Sequence, residues 1–503
     1  MFQGTASNVG KSLIATGICK ILTEDGYDVV PFKPQNMSLN SYIDIDGKEM
    51  GRAQVMQAIA SNKIPRAYMN PILLKPCGNH ISQVIFMGDV VANMESKKYQ
   101  EYKKELVLPL KTLFDKLEDK HDVVVIEGAG SPAEININQL DLSNMKMAEI
   151  SNSPVVLVAD IDRGGVFASI LGTIMLLKDD EKKRVKGIIV NKFRGNKEYF
   201  REGVKKIEEI TGIDVLGVVP YFSVNLDEED GVSHKFNGSN YVFDEEYINI
   251  DVIKYPHMSN YTDFEVFNFI EKVNLRYIDV RSVESDKKLK LKSDILILPG
   301  SKNTVEDIRE LKLKKLDQSI KEYIEEGGIA FGICGGYQIL GNKILDYSGI
   351  DSGRYEYSEE QGLGVFDYNT VFSDEKITRQ TKFEIKNEGD VFEGLNGYIV
   401  DGYELHMGRD EEILSDNNEV ECREELPYKV KKRVLATYVH GFFDNIQMSA
   451  TLINNIRRMK GLEEIEIPKI GYEELKIKEY EKISKILREN LDIEKIYEII
   501  FRK

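Results

Sequence analysis

Residues Gly4-Thr-Ala-Ser-Asn-Val-Gly-Lys-Ser12 stand almost at the start of the chain and run straight into Leu13, Ile14, Ile18, Ile21 and Leu22, which are spaced as on one face of a helix. Glycines let a backbone wrap phosphate oxygens with its N–H groups. The helix that follows adds positive potential, a lysine reaches terminal phosphates, and a serine hydroxyl can ligate Mg²⁺. Five residues separate Gly4 from Gly10 where the ordinary motif has four, so this is a variant phosphate loop. It assigns Gly4, Thr5, Gly10, Lys11 and Ser12 to a nucleotide site. Only Met1, Phe2 and Gln3 precede the loop. The first strand is therefore expected to be short or clipped, against the ~5–6 residues of an ordinary one.

Such a loop belongs on a parallel sheet, and the sequence supplies one. Apolar runs at 28–32, 123–126, 155–159, 187–190 and 215–219 alternate with helical patterns. They are continuous rather than alternating, the mark of strands buried on both faces. The expected fold class is α/β, with a phosphate-loop domain over 1–225. An acidic stretch without helical period follows at 226–247 and reads as a linker. A second α/β domain is expected over 248–445, from runs at 251–254, 294–298 and 329–333 and a β-rich stretch over 398–443. Beyond it, Leu452, Ile453, Ile456, Ile483, Ile486 and Leu487 predict a C-terminal helical tail over 446–503.

The 503 residues suit two or three domains, and 42% apolar with 30% charged residues is an ordinary folded composition. With 67 basic and 84 acidic residues the net charge is −17, which repels nucleic acid and anionic lipid, so no such partner is expected. An anionic ligand then needs a local positive site. Cys19, Cys77, Cys334 and Cys422 form no CxxC pair, against a disulfide framework or thiolate zinc. Neither a membrane span nor a signal peptide is legible, and the expected compartment is the cytoplasm.

Strand ends carry the other candidates. Glu127, after 123–126, sits where a parallel sheet binds ligands and is the candidate magnesium carboxylate with Ser12; Asp46 is the candidate second carboxylate. Asn191, after 187–190, is a candidate reader of an adenine edge. Lys33, after 28–32, suits a transferring phosphoryl group or a substrate carboxylate, with Gln35, Asn36, Ser38 and Asn40 offering hydrogen bonds; Arg163 ends another strand. In the second domain, Gly332-Ile-Cys334-Gly-Gly336 ends a strand and enters a helix, the arrangement of a nucleophile elbow. A thiolate needs a base. His440, after a strand, is the first choice, His406 the rival and His257 a third.

Taken in order over about residues 1–445, GTASNVGKS, FKPQNMSLNS, EGAGSPAEIN, ADIDRGGVFAS, NKFRG, LPGSKNT, FGICGGYQILG, YELHMG and TYVHGFF resemble the cobyric acid synthase family. The resemblance implies a synthetase domain similar to dethiobiotin synthetase, followed by a class I glutamine amidotransferase domain. It implies that Cys334 attacks the glutamine carboxamide, that His440 shuttles protons, and that N–H groups around Gly300 and Gly335 hold the oxyanion. Ammonia would then displace phosphate from a substrate carboxylate activated by ATP and Mg²⁺, with no tightly bound organic cofactor. The implied substrate is adenosylcobyrinic acid a,c-diamide, amidated at its b, d, e and g carboxylates. The runner-up is a related amidotransferase for another polycarboxylate, in cobyrinic acid a,c-diamide formation or on a cell-wall precursor. A partitioning-type switch ATPase would have a lysine early in the loop, and a plain cysteine hydrolase leaves the loop unexplained. Two positions depart from the family pattern. Phe442 stands where the usual class I triad has glutamate, which leaves open what orients His440; this is similar to the cobyrinic and cobyric amidase subgroup, for which the resemblance implies that a dyad suffices. Asn196 stands where an aspartate is expected.

Overall fold

Strand Phe2–Gly4 is three residues long and pairs in parallel with Val155–Asp160, which continues to Val185–Phe193 and Val215–Pro220. The computed structural model describes residues 1–78, 81–135, 140–226, 243–284, 288–351, 357–386, 389–412 and 426–501. On the other side of Phe2, strands Val29–Phe32 and Val123–Ile126 pair in parallel. A bridge between Phe2 and Glu127 and the Gly128 N–H bond to Phe2 O (2.8 Å) join both sets into one layer. Val155–Asp160 is buried throughout, as a strand covered on both faces must be. The phosphate loop, Lys33, Glu127 and Asp160 all lie at the carboxyl edge of this layer, where parallel sheets bind ligands.

An accessory sheet grows from the same edge. Gln35–Met37 pairs in parallel with Ile72–Gly78, which runs antiparallel into Ile81–Phe86 and Asp89–Glu95. A small hairpin, Ser41–Ile43 with Glu49–Gly51, sits beside it. These strands are not expected from the sequence: Gln35–Met37, Ser41–Ile43 and Glu49–Gly51 are three residues each, Asp89–Glu95 is mostly exposed, and the buried strand Ile72–Gly78 has Lys75 and Pro76 after its short apolar run.

The second domain carries a six-stranded sheet in the order Val273–Asp279, Ile248–Lys254, Ile295–Leu298, Ile329–Ile333, Val434–Thr437 and Tyr428–Lys431, all parallel but the last. A second sheet is built on a long antiparallel ribbon of Tyr368–Glu384 with Ile399–Glu412, to which Val439–His440 adds a short strand. The ribbon reaches the first domain: Gln380 donates to Ile43 O, and Tyr403 OH to Ser41 O at 2.8 Å. Most of the expected linker, 227–242, lies outside the described residues, as does Cys422.

The segment beyond 446 is helical and divides between the two cores. Ile446–Met459 buries Ile446, Leu452, Ile453 and Ile456 in the second core. Tyr472–Asn490 buries Tyr480, Ile483 and Leu487 in the first core, against Lys11–Glu24. Gly17 makes that approach possible, since a Cβ there would stand 2.3 Å from Leu487 Cδ1. Arg488 adds an ion pair to Asp25 at 2.7 Å. Helical spacing revealed the helices but not which core each apolar face would enter. Because Leu487 is fully buried under the phosphate-loop helix, Leu487→Ala is expected to cost ~2–5 kcal/mol locally. Hydrogen exchange of the amides in Lys11–Glu24 should accelerate accordingly, and unchanged protection would show that Tyr472–Asn490 does not support that helix.

Candidate active sites

Helix Lys11–Glu24 starts without a side-chain cap; its first position is preceded by Gly10 at φ +93°. A Cβ at Gly10 would stand 2.2 Å from Asn191 Nδ2, so conformation and fit both require glycine. At Gly4 the nearest atom would be Val9 Cγ2 at 2.7 Å. Thr5 N–H extends the strand by bonding Val158 O at 3.0 Å. Asn191 is buried and donates to Val9 O at 2.8 Å, so its amide braces the loop. Lys192 bonds Asn8 O and pairs with Asp160 at 3.0 Å, bracing it a second time. Lys11 folds back over the loop, its Nζ bonding Ala6 O (3.2 Å) and Gly130 O (3.1 Å).

Glu127 is fully buried and accepts from Ser12 Oγ (2.7 Å), Lys33 Nζ (2.9 Å) and Gln57 Nε2. Only such donors make a buried carboxylate tolerable. The hydroxyl of Ser12 and the carboxylate of Glu127 are adjacent hard oxygens, a donor pair that fits Mg²⁺. Among the described residues no group of three or more His, Cys, Asp or Glu is arranged around a metal. An ion here would complete its shell from phosphate and water, as Mg²⁺ commonly does.

Other sequence candidates fall around this group or outside it. Gln35 accepts from Tyr99 OH at 2.6 Å, and Asn36 is buried, its Nδ2 without a hydrogen-bond partner among the described residues. Arg163 is exposed, 4.0 Å from the Asp160 carboxylate. Asp46 is not brought to Glu127. It occupies the exposed turn of the Ser41–Ile43 hairpin and pairs with Arg66, which corrects its assignment as a magnesium ligand. The buried acids of that hairpin are Asp44, which accepts three backbone N–H groups, and Glu49, which pairs with Lys75 and Lys376.

Cys334 follows strand Ile329–Ile333 at φ +51°, ψ −101° and begins helix Gly335–Leu340. Positive φ at a non-glycine residue costs ~1–3 kcal/mol and clusters at functional sites. A Cβ at Gly336 would strike Leu298 O at 1.8 Å, and at Gly335 would stand 2.6 Å from Ser301 N, so the elbow requires both glycines. Gly300 lies against His440, with its notional Cβ 3.2 Å from Cε1. His440 is buried, lines the same cavity as Cys334, and holds Asp263 Oδ2 at 2.7 Å through Nδ1, while the Cys334 thiol donates to Leu405 O at 3.7 Å. Burial opposes charge on this imidazole, but Asp263 and Cys334 outweigh it and raise its pKa to about 10. His406 lines the same cavity, yet its nitrogens are taken by Glu404 (3.2 Å) and Gly408 O (2.8 Å). His257 is tied to Asp307 at 2.9 Å.

The cavity against Cys334 and His440, about 50 Å³, is walled by both domains: Lys302, Gln338 and Asp351 from the second, Lys75 and Gln83 from the first. Nearby, Ser41 N–H donates to Asn260 Oδ1 (3.0 Å) and Tyr261 N–H to Asn40 Oδ1 (3.2 Å). Arg52 donates to Tyr403 OH at 3.1 Å, and the Tyr403 ring stacks 5.2 Å from that of His440. Sequence reasoning missed Asp263, Gln57 and Tyr403. The usable signal for Asp263 was its place in Tyr261-Thr-Asp-Phe-Glu-Val-Phe267, where a carboxylate among aromatics demands a partner.

Residues 1–228 match the model of an AAA domain, and residues 249–448 match that of the CobB/CobQ-like glutamine amidotransferase domain. A cobyric acid synthase of Clostridium botulinum (strain Okra / Type B1) is 47% identical over 100% of this chain and 99% of its own. Those of Thermoanaerobacter sp. (strain X514) and Clostridium novyi (strain NT) are 45% and 44% identical, covering 100% and 99% of this chain and 98% and 97% of theirs. An amidotransferase domain thus follows a phosphate-loop domain, as the motifs imply. The chain is a glutamine-dependent, amide-forming ligase, and it belongs to the cobyric acid synthase family.

Proposed function

We propose that the protein uses ATP and glutamine to amidate the b, d, e and g carboxylates of adenosylcobyrinic acid a,c-diamide, giving adenosylcobyric acid. The observation that carries this reading is the cavity at Cys334 whose walls come from both domains: a glutamine-cleaving thiol would face the unit that consumes its ammonia. The relatives named cobyric acid synthase support a corrinoid substrate. Lys33, Lys11 and Lys192 at the carboxyl edge of the sheet supply the local positive charge that two anionic substrates need in a chain of charge −17.

At the second site Cys334 Sγ attacks the glutamine carboxamide carbon, and His440 takes the thiol proton and returns it to the departing nitrogen. N–H groups at Gly335 and around Gly300 stabilise the oxyanion. Water then cleaves the thioester to release glutamate and regenerate the thiol. At the first site the substrate carboxylate attacks the γ-phosphorus of ATP, giving an acyl phosphate and ADP. Ammonia attacks the acyl carbon and phosphate leaves. Lys11 holds the terminal phosphates, and Lys33 faces the carboxylate or the transferring group. Bound by Ser12, Glu127 and phosphate oxygens, Mg²⁺ would neutralise phosphate charge. The expected setting is the cytoplasm.

Three measurements test this. Cys334→Ala should lower glutamine-dependent amidation by ~10³-fold or more while ammonium salts still support it; loss of both would sink a two-site mechanism. Lys11→Ala should lower ATP-dependent turnover by ~10²-fold with either nitrogen source, and normal turnover would remove the loop from the reaction. Mass spectrometry of the corrinoid after incubation with ATP, Mg²⁺ and glutamine should show four successive amidations. An unchanged mass would reject the substrate.

A further inference from the structure

The base of the glutaminase site lacks an acid where its strand would supply one. Position 442 is Phe442, buried against Phe443 with ring centroids 5.3 Å apart. Of the other acids nearby, Glu404 is held by Arg379 (2.9 Å) and His406 (3.2 Å), and Asp444 stands over Gly441. Among the described residues, the acid that bonds the ring of His440 is Asp263. It lies in the 3₁₀ stretch Tyr261–Phe269, on the far side of the sequence from the histidine.

Its two oxygens are divided between ring and backbone: Oδ2 accepts from His440 Nδ1 at 2.7 Å, and Oδ1 accepts from Gly441 N at 3.1 Å. One carboxylate therefore locates the imidazole and the peptide that follows it, while Tyr403 covers the ring. A carboxylate can only accept, so Nδ1 carries a proton in either charge state of the ring, and Nε2 is the nitrogen that exchanges its proton with the thiol. We infer that Asp263 is the positioning residue of the glutaminase, a carboxylate delivered to His440 from a turn that the first domain holds. The turn begins at Asn260, at φ +51°, and is fastened by Asn40 and Ser41. The inference rests on the glutaminase reading of Cys334 and His440 and adds the group that sets the tautomer.

Asp263→Asn is the discriminating variant. An asparagine keeps an oxygen for Gly441 N–H but presents N–H₂ to Nδ1, which forces the proton onto Nε2 and blunts the base. With L-glutamine alone as substrate, kcat for glutamate release should fall ~10²–10⁴-fold, as in other triads with the wrong tautomer. KM for glutamine should stay within about threefold, since Asp263 does not touch the substrate. Alkylation of Cys334 by iodoacetamide should slow in parallel, and Asp263→Glu should recover part of kcat. A kcat within about threefold of the unmodified protein, or a loss confined to KM, overturns the inference. Cys334→Ala, assayed alongside, separates the two readings: if it still releases glutamate, the glutaminase assignment has failed rather than the role of Asp263. Should Asp263→Asn not fold, the unmodified protein decides. With ¹⁵N-labelled histidine, the ring assigned to His440 by its disappearance in His440→Gln should show a protonated, strongly hydrogen-bonded Nδ1, and its absence there overturns the inference as well.

Discussion

Two asparagines exchange hydrogen bonds across the domain boundary, Asn40 Oδ1 with Tyr261 N and Asn260 Oδ1 with Ser41 N, and both active sites hang from them. The segment that ends at Asn40 begins at Lys33, whose ammonium sits on Glu127. The turn that begins at Asn260 ends at Asp263, which holds His440. All four groups in the exchange are buried, so breaking one bond would strand a donor or acceptor away from water, at ~1–3 kcal/mol each. A displacement of this clasp would be felt at both ends within a few residues. Covalent linkage through 227–242 alone would not give that coupling.

Charge is arranged locally against the sign of the whole. Glu49 is buried at the boundary between Lys75 of its own domain and Lys376 of the other. Burial pushes its carboxyl toward protonation, but Lys376 and Lys75 more than offset this and hold it well below the usual range. Lys376 shows the opposite balance: burial lowers it to about 8 although Glu49 pulls it up. Two cations on one anion leave this wall of the Cys334 cavity with an excess of positive charge while Lys376 stays protonated, and the excess falls as pH rises through about 8. Net charge, a sum over a distant surface, carries none of this information.

What was legible in the sequence follows from what each feature depends on. The central strands of both domains are long enough in apolar residues to announce themselves, and the phosphate loop and the thiol elbow are contiguous motifs whose geometry is set by neighbouring glycines. Glu127 and His440 were legible because they follow buried strands. Asp46 was misplaced because a position after a strand says nothing of a hairpin turn that carries it to the surface. The strands of the accessory sheet, the return of Tyr472–Asn490 to the first core and the clasp depend on contacts between residues far apart in the chain. Asp263 and His440 are 177 positions apart, and no periodicity links them.

The same reasoning accounts for Phe442. Its ring and that of Phe443 belong to an aromatic core in which Phe443 meets Phe267 at 5.0 Å and Phe331 at 5.1 Å. A glutamate at 442 would have to enter that core, and an ionised carboxylate among phenyl rings without donors is prohibitively costly. The acid that the imidazole needs must then arrive on an element whose backbone can approach the ring from outside the strand. The turn from Asn260 meets that requirement: its 3₁₀ stretch buries Phe264 and Phe267 in the same core while Asp263 faces His440 and the Gly441 N–H. Filling position 442 with an apolar ring and supplying the carboxylate from the turn are thus two halves of one packing solution.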